Sequence, residues 1–172
     1  MKFLCDEMLQ RLGHWLRAAG YDTLIEQDGR SDYELLMQAI QEERYLITRD
    51  RKLLEHRRAP GTVILLECDG LKECAKALSQ QLPINWLEQP FIRCMVCNTL
   101  LRPAAENEMA TLPEKIKSQL DSPLYCPSCQ KVYWDGGHVE RMRQRLENWQ
   151  DGFGIEEKAK GTESKLFNGV NN

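Results

Sequence analysis

Two CxxC pairs constrain the second half of this chain more than any other feature. Cys94 and Cys97 form the first pair, Cys126 and Cys129 form the second, and 28 residues separate the pairs. Each pair can form a short loop that directs two thiolates at one ion, and two such loops complete a tetrahedral Cys₄ zinc site. A redox CxxC needs only one pair, so the spacing predicts a zinc ribbon. Four thiolates leave zinc no open position, so we expect the ion to be structural.

Length and composition leave room for one ordinary domain and a small appendage. The chain has 172 residues, of which 42% are hydrophobic, and a net charge of −3. No apolar run approaches the ~20 residues that span a bilayer, and the N-terminus lacks a secretory pattern. We therefore expect a cytoplasmic protein with no membrane partner. Because the cytosol is reducing, Cys5, Cys68 and Cys74 are expected to be buried free thiols.

Short apolar runs alternate with amphipathic stretches through the first half of the chain. Strands are predicted at residues 2–5, 23–25, 45–48 and 62–66. Helices are predicted at residues 7–19, 31–43, 51–56 and 71–82, the second of them opened by the capping-box pattern of Ser31 and Glu34. Strands that alternate with helices predict an α/β fold with a mostly parallel sheet flanked by helices.

The character of the sequence changes near residue 90. Beyond it come the two CxxC pairs and a basic helix predicted at residues 138–149. The last segment is rich in Gly, Lys, Glu and Asn and has few apolar residues, which is typical of a disordered tail. The predicted organisation is an α/β domain at residues 1–90, a zinc ribbon with its helix at 91–149, and a tail at 150–172.

Three aspartates stand where a parallel sheet would expose them. Asp6 directly follows the first strand, Asp32 opens the helix after the second, and Asp50 follows the third. Ligand sites in such sheets lie beyond the carboxyl ends of the strands, so these carboxylates can share one crevice. Clustered oxygen ligands suit Mg²⁺ or Mn²⁺. The alternative is that each aspartate caps a helix, because aspartate is a favoured N-cap residue.

Several blocks of the sequence together resemble the Mut7-C family. One block runs from Asp6 through Gly20-Tyr21-Asp22, another is Ser31-Asp32-x-x-Leu35-Leu36, and a third is Leu46-Ile47-Thr48-Arg49-Asp50. The Cys₄ unit followed by Tyr133-Trp134-x-Gly136-Gly137-His138 completes the resemblance, which covers about residues 1–147. The resemblance implies a PIN-like RNase domain with a C-terminal zinc ribbon.

The resemblance also implies roles for the aspartates. Asp6 is similar to the first PIN aspartate, Asp32 to the aspartate that opens a later helix, and Asp50 to the aspartate of the Thr-Arg-Asp motif. Typical PIN nucleases add a glutamate from a central helix, which has no clear counterpart here. Glu7 and Glu34 are the candidates to replace it.

Arginines near the acidic crevice, together with aromatic and basic residues near the ribbon, are candidates for contact with nucleic acid. Aromatic side chains beside arginines form the usual surface for single-stranded RNA. The candidates are Arg17, Arg49, Arg51, Trp134, His138, Arg141, Arg143 and Arg145. For His138, a helix-capping role stays open, and for Trp134 so does a packing role between the ribbon and the first domain.

We therefore expect a metal-dependent endoribonuclease. Asp6, Asp32 and Asp50 hold Mg²⁺ or Mn²⁺ in this interpretation, and the zinc ribbon aids recognition of RNA, with tRNA, rRNA and mRNA all open as substrates. The alternative is a non-catalytic module, in which the ribbon binds RNA or a protein and the PIN-like domain is degenerate. The missing glutamate favours that alternative.

Overall fold

A parallel four-stranded sheet forms the centre of the first half of the chain. The computed structural model describes residues 1–110, 112–117 and 120–153. The strands lie in the order β2-β1-β3-β4, and every neighbouring pair is parallel. They are β1 (Lys2–Cys5), β2 (Asp22–Ile25), β3 (Tyr45–Thr48) and β4 (Val63–Leu65). The predicted α/β fold with a parallel sheet is confirmed.

Helices cover both faces of this sheet. They are α1 (Gln10–Ala18), α2 (Asp32–Gln41) and α3 (Leu71–Gln81), with short 3₁₀ helices at Glu7–Leu9 and Arg51–Glu55. Ser31 and Glu34 form the predicted capping box at the start of α2.

The two faces of the sheet belong to different apolar clusters. Side chains alternate along a strand, so Phe3 and Cys5 pack with α1 and α3, whereas Leu4 between them packs with Leu36 of α2. The sheet is therefore the middle layer of three.

A small antiparallel sheet follows the first CxxC pair. Its strands are β5 (Arg102–Pro103), β6 (Leu124–Cys126) and β7 (Lys131–Tyr133), with a short helix α4 (Glu114–Lys117) between β5 and β6. These strands were not predicted from the sequence. They have only two or three residues each, which is too short for a period of two to stand out.

The helix α5 (Gly137–Gly152) returns from the ribbon to the first half of the chain. Its Leu146 and Trp149 are buried in the same apolar cluster as α1 and α3. The ring of Trp149 lies 5.1 Å from that of Trp15 and 4.9 Å from that of Trp86. Among the described helices, none has the length and apolarity needed to span a membrane.

The position of α5 bears on the predicted domain limits. The helix extends three residues past its predicted end, so the predicted tail is wrong at its first residues because Trp149 and Gln150 are held by the core. Residues 154–172, most of the predicted tail, lie outside the described residues. The division near residue 90 stays a prediction, and α5 packs across it.

The first CxxC loop covers the free edge of the large sheet. Asn98 accepts a hydrogen bond from the backbone N–H of Thr23 at 3.0 Å and donates one to Asp22 at 2.8 Å. Burial would raise the pKa of Asp22, but hydrogen bonds from Arg44 and Asn98 hold it below its ordinary value. On the edge strand β2, the backbone N–H of Thr23 is thus bonded by a buried side chain instead of by a fifth strand.

The cysteines outside the CxxC pairs differ from one another. Cys5 is the buried free thiol that was predicted, and burial raises its pKa to about 12. The prediction is wrong for Cys68 and Cys74, which form a disulfide between the end of β4 and the first turn of α3. The turn between β4 and α3 places their Cα atoms 5.0 Å apart, a proximity that the sequence separation of six did not reveal.

Replacing Trp149 tests whether α5 belongs to the core of the first half. Trp149→Ala should lower the free energy of unfolding by about 3–5 kcal/mol, the range for truncating a buried tryptophan. Asn148→Ala is the control, since Asn148 is an exposed neighbour on the same helix. The measurement is urea unfolding followed by circular dichroism. A loss below about 1 kcal/mol for Trp149→Ala would mean that α5 is only loosely attached.

Candidate active site at the sheet edge and the four-cysteine cluster

The strand order places a crevice at the carboxyl ends of β1 and β3. The chain passes from β1 to β2 on one side and then crosses to β3 on the other side, so the connections diverge between β1 and β3. Such a switch point is where open parallel sheets bind ligands. Asp6 lies there, and its backbone N–H donates to the carbonyl of Ile47 at 3.0 Å.

Thr48 connects the two aspartates that follow these strands. Its hydroxyl donates to Asp6 Oδ2 at 2.8 Å and accepts from the backbone N–H of Asp50 at 2.9 Å. Thr48 is fully buried, so it bonds the Asp6 carboxylate and the Asp50 N–H from the interior of the protein. The threonine of the Thr-Arg-Asp sequence therefore positions Asp6 and the Asp50 loop at the same edge.

The capping alternative holds for one of the three aspartates. Asp50 Oδ1 accepts from the backbone N–H of Lys52 at 2.8 Å and caps the following 3₁₀ helix. Asp6 stands at the N-cap position of the 3₁₀ helix Glu7–Leu9, but its side chain makes no capping hydrogen bond. Asp32 is the first residue of α2, whose cap is Ser31. Capping therefore does not account for Asp6, whereas Asp32 stands in the first turn of α2, where a carboxylate is stabilised by the helix dipole.

The three aspartates do not form a ready-made metal cluster. Within residues 1–110, 112–117 and 120–153, only the four CxxC cysteines bring three or more candidate ligand atoms close together. The oxygen donors still suit a hard divalent ion. A carboxylate oxygen of Asp6 and one of Asp50 are without a protein donor in this part of the chain, and so is the whole carboxylate of Asp32. The site thus offers open oxygens rather than a closed set of ligands.

Glu26 is an acidic residue at this edge that sequence reasoning missed. It directly follows β2, its backbone N–H donates to the carbonyl of Cys5, and it is only 2% exposed. Burial would raise the pKa of Glu26, but hydrogen bonds from Arg30 and from the N–H groups of Asp28 and Arg30 hold it below its ordinary value. Its position at the end of β2 was the available signal, since Asp6 was chosen on the same ground.

The two glutamates considered as replacements for the missing PIN glutamate differ in their surroundings. Glu34 accepts hydrogen bonds from the N–H and hydroxyl of Ser31, so its carboxylate is engaged in the capping box. Glu7 is exposed in the 3₁₀ helix beside Asp6. Of the two, only Glu7 keeps its carboxylate free of the local helix cap.

The four CxxC cysteines do converge. All four sulfurs lie within 4.8 Å of one another, with Cys94 and Cys126 fully buried. Cys94 and Cys129 are 3.8 Å apart at sulfur, and Cys97 and Cys126 are 3.4 Å apart. A tetrahedral ion with zinc–sulfur bonds of about 2.3 Å places its sulfurs ~3.8 Å apart, so the cluster has the size of a zinc site.

The two CxxC loops share a backbone geometry. After each second cysteine comes a residue with positive φ, Asn98 at 69° and Gln130 at 56°. Each of these residues donates its N–H to the carbonyl of the first cysteine of its pair, Cys94 or Cys126. The left-handed residue turns the chain so that both sulfurs of a pair face the same point.

The four thiols lie close enough to shift one another's pKa. Burial would raise the pKa of Cys97, but hydrogen bonding with Thr99 and the neighbouring thiols lowers it, whereas hydrogen bonding with Cys97 raises the pKa of Cys129. Zinc binds thiolates, so the donor chemistry fits a structural zinc held by Cys94, Cys97, Cys126 and Cys129.

Comparison with known families adds an independent observation. The model of the family described as Mut7-C RNAse domain matches residues 1–146, which include both the sheet edge and the four cysteines. The chain belongs to the Mut7-C RNAse domain family. Comparisons with curated proteins and with solved structures gave no match. The resemblance predicted from the sequence blocks is confirmed.

Arg17 has a structural position in this Mut7-C domain. It is 5% exposed, its Nε donates to the carbonyl of Thr23 at 2.8 Å, and its Nη1 donates to the carbonyls of Met95 and Val96. The prediction that Arg17 contacts phosphate is wrong, because the guanidinium is enclosed between α1, β2 and the first CxxC loop. Burial lowers the pKa of Arg17, but arginine stays charged at neutral pH.

The other two arginines near the sheet edge remain accessible. Arg49 is exposed, and Arg51 is exposed while paired with Glu67 at 2.5 Å. An ion pair this exposed contributes at most about 1 kcal/mol, so a phosphate can replace Glu67 as its partner. Both positions are compatible with the predicted contact to nucleic acid.

An apolar groove of about 980 Å³ separates α1, the ribbon and α5. Trp134 lines it and is 38% exposed, so it is not fully committed to packing. His138 also lines it, and Gly136 rather than His138 holds the cap position of α5. Other lining residues include Trp15, His14 and Phe91. The groove gathers aromatic faces from three parts of the chain.

The three arginines of α5 do not form one basic face. The guanidinium of Arg143 lies 5.1 Å from the ring centre of Phe91, and that of Arg145 lies 5.1 Å from that of Trp15. Arg141 is exposed and has no carboxylate within 4.0 Å among the described residues. Among the described residues, Arg141 is therefore the one arginine of the three that contacts neither an aromatic ring nor a carboxylate.

Metal analysis tests the four-cysteine cluster. The purified protein should carry one zinc per chain, and Cys126→Ser should reduce bound zinc to near background because a tetrahedral site loses one of its thiolates. Its melting temperature should also fall, since the first CxxC loop supplies the carbonyls that bind Arg17. Ser128→Ala, an exposed change in the same loop as Cys126, is the control. Absence of zinc from protein purified without chelator would contradict this assignment.

Proposed function

We propose that this chain is a ribonuclease that cleaves RNA phosphodiester bonds internally, at the carboxyl edge of its parallel sheet. The observation that carries the proposal is the position of Thr48, which joins the carboxylate of Asp6 to the backbone of Asp50 at the switch point. The family match supplies the class of reaction. If Asp6 and Asp50 only capped helices, a buried hydroxyl bonded to the carboxylate of Asp6 and to the backbone of Asp50 would not be needed.

The carboxylates support this proposal through their unused oxygens. Thr48 fixes one oxygen of Asp6 and the Lys52 N–H fixes one oxygen of Asp50, which orients the second oxygen of each. Asp32, at the start of α2, faces no competing donor in the described residues. These are the atoms that would bind Mg²⁺ or Mn²⁺ together with water and the phosphate of the substrate.

A divalent ion in that position would activate water for attack and neutralise the charge that develops on the phosphodiester. The protein's own contribution is orientation: Thr48 holds Asp6, and the 3₁₀ helix after β3 holds Asp50. Arg49 and Arg51 are exposed beside Asp50 in the sequence and would bind phosphate oxygens of the substrate.

The ribbon and α5 would aid recognition of the RNA. Trp134 and His138 line a groove with exposed aromatic surface, and Arg141 adds an unpaired positive charge in the described part of α5. Base stacking on an aromatic ring with a cation nearby is the usual chemistry of single-strand binding. A zinc ion bound by the four cysteines would hold this surface in place, because Cys126 ends β6 beside β7.

Cleavage assays on cellular RNA with Mn²⁺ test the proposal. Asp50→Asn should reduce the rate on the order of 100-fold or more, as for loss of a group acting at the reacting atoms. Asparagine can still accept from Lys52, so the fold should be retained. Chelation of divalent ions should have the same effect, while Asp69→Asn, an exposed aspartate after β4, should cleave normally.

The alternative function predicts a different result in the same assay. If the protein binds RNA but the wild type and Asp50→Asn are equally inactive with Mn²⁺, the chain is a binding module with a degenerate nuclease domain. The lack of a ready-made acidic cluster favours this second candidate.

Binding measurements test the role of the ribbon. In the Asp50→Asn background, Trp134→Ala should weaken binding of single-stranded RNA about tenfold, within the range for loss of one stacking residue. Leu100→Ala is the control, because Leu100 is an exposed apolar residue of the ribbon that lies at 54% exposure. Fluorescence anisotropy is the measurement. Equal affinity of Trp134→Ala and the parent would mean that the ribbon has only a structural role.

A further inference from the structure

A second surface, near the carboxyl ends of the strands, combines aromatic rings with unpaired positive charge. Tyr33, the residue after Asp32, is 59% exposed. Its ring centre lies 6.5 Å from that of His56, which follows the 3₁₀ helix after Asp50. We call the surface formed by Tyr33, His56, Arg49, Lys52 and Arg57 the aromatic–basic rim. It lies on the α2 side of the sheet, and the ribbon groove is lined from the α1 side.

The rim is strongly basic although the chain as a whole is acidic. Residues 49–58 contain five arginine or lysine side chains and two acidic ones, in a chain with a net charge of −3. Among the described residues, none of Arg49, Lys52 and Arg57 has a carboxylate within 4.0 Å. Unpaired cations concentrated in this way are complementary to a polyanion.

Tyr33 is not part of the apolar core that anchors α2. α2 is anchored on the sheet through Leu35, Leu36 and Ala39, all of which are buried. Leu54, in the 3₁₀ helix after Asp50, is also 46% exposed. Exposed aromatic and apolar side chains therefore lie one residue from Asp32 and four residues from Asp50.

We infer that the aromatic–basic rim binds single-stranded RNA and stacks an unpaired base on Tyr33, beside the phosphodiester that Asp6 and Asp50 act on. This inference rests on the proposed function for the identity of the ligand. Arg49, Lys52 and Arg57 bind backbone phosphates, while the ring of Tyr33 accepts any base with a free face. A base within a duplex has both faces covered by its neighbours, so the rim selects unpaired strands.

The carboxylates near the rim differ in how far they repel a polyanion. Glu34 is bonded to Ser31 in the capping box, and Glu26 is buried against Arg30. The open carboxylates of Asp6, Asp32 and Asp50, and the exposed Glu55, repel the polyanion locally, and the cations of the rim offset that repulsion. Binding by the rim is therefore what would hold the phosphate near the acidic residues.

The experiment measures affinity for a single-stranded RNA and for its duplex in the Asp50→Asn background. The parent should prefer the single strand. Tyr33→Ala should weaken binding of the single strand about tenfold and affect the duplex little. Tyr33→Phe should restore affinity, since the ring and not the hydroxyl does the stacking. Tyr33 is exposed, so melting curves should show that all three proteins are folded.

The cations are tested by salt dependence. Replacing Lys52 and Arg57 together with alanine should reduce the slope of log affinity against log salt by about 1.4, as expected for two fewer phosphates neutralised on a single strand. Replacing Lys72 and Lys76 with alanine removes the same charge from exposed positions of α3 and is the matched control. Equal slopes for both double variants would overturn the inference.

The remaining outcomes separate this inference from the proposed function. Loss of affinity in Tyr33→Ala without cleavage by the wild type would support the rim and refute the nuclease. Cleavage by the wild type with unchanged binding in Tyr33→Ala would refute the rim alone. Failure of the parent to bind single-stranded RNA would also refute it. A dimer in sedimentation that Tyr33→Ala dissociates would identify the rim as a contact between copies of this chain.

Discussion

The buried guanidinium of Arg17 is the interaction on which the arrangement of this molecule depends. It comes from α1 and donates to carbonyls of both β2 and the first CxxC loop. A charge enclosed in this way is tolerated only when its donors are satisfied, so the three carbonyls and the guanidinium require one another. The zinc ribbon is thereby tied to the free edge of the sheet and cannot be treated as an independent appendage. Asn98 strengthens the same junction with its two bonds to β2.

This junction explains why α5 can reach the core of the first half. The ribbon fixes where the last helix begins, and Trp149 then packs between Trp15 and Trp86. The groove lined by Trp134 and His138 is a consequence of the same arrangement, because the ribbon and α5 meet α1 without filling the space between them. The four-cysteine cluster, which can hold a structural metal, thus helps to shape a surface that the proposed function uses.

The carboxyl end of the parallel sheet is organised by the strand order and by the buried hydroxyl of Thr48. A parallel sheet with its switch point between β1 and β3 brings the residues after those strands together, and Thr48 turns that proximity into an oriented pair. The acidic residues are open rather than closed around a ligand, which is the property expected of a site that completes itself with water and phosphate. The aromatic–basic rim that we propose beside it would supply the attraction for RNA that an acidic site lacks.

The sequence by itself determined the elements that depend on local pattern. The four strands, the capping box of α2, each CxxC pair and the positions of Asp6 and Asp50 after their strands all follow from short local patterns. The blocks that resemble the Mut7-C family also lie in such short stretches. Local spacing is visible in a sequence because neighbouring residues share one element.

Only the tertiary structure decided which residues meet across elements. From the sequence, Arg17 was predicted to contact phosphate, but in the structure it is buried and donates to the carbonyls of Thr23, Met95 and Val96. Cys68 and Cys74 looked like free thiols until the turn between β4 and α3 brought them together. Tyr33 and His56 are 23 residues apart in the sequence and meet only because α2 and the 3₁₀ helix lie on the same face. Such contacts depend on how the layers pack, and no local period of the sequence encodes that.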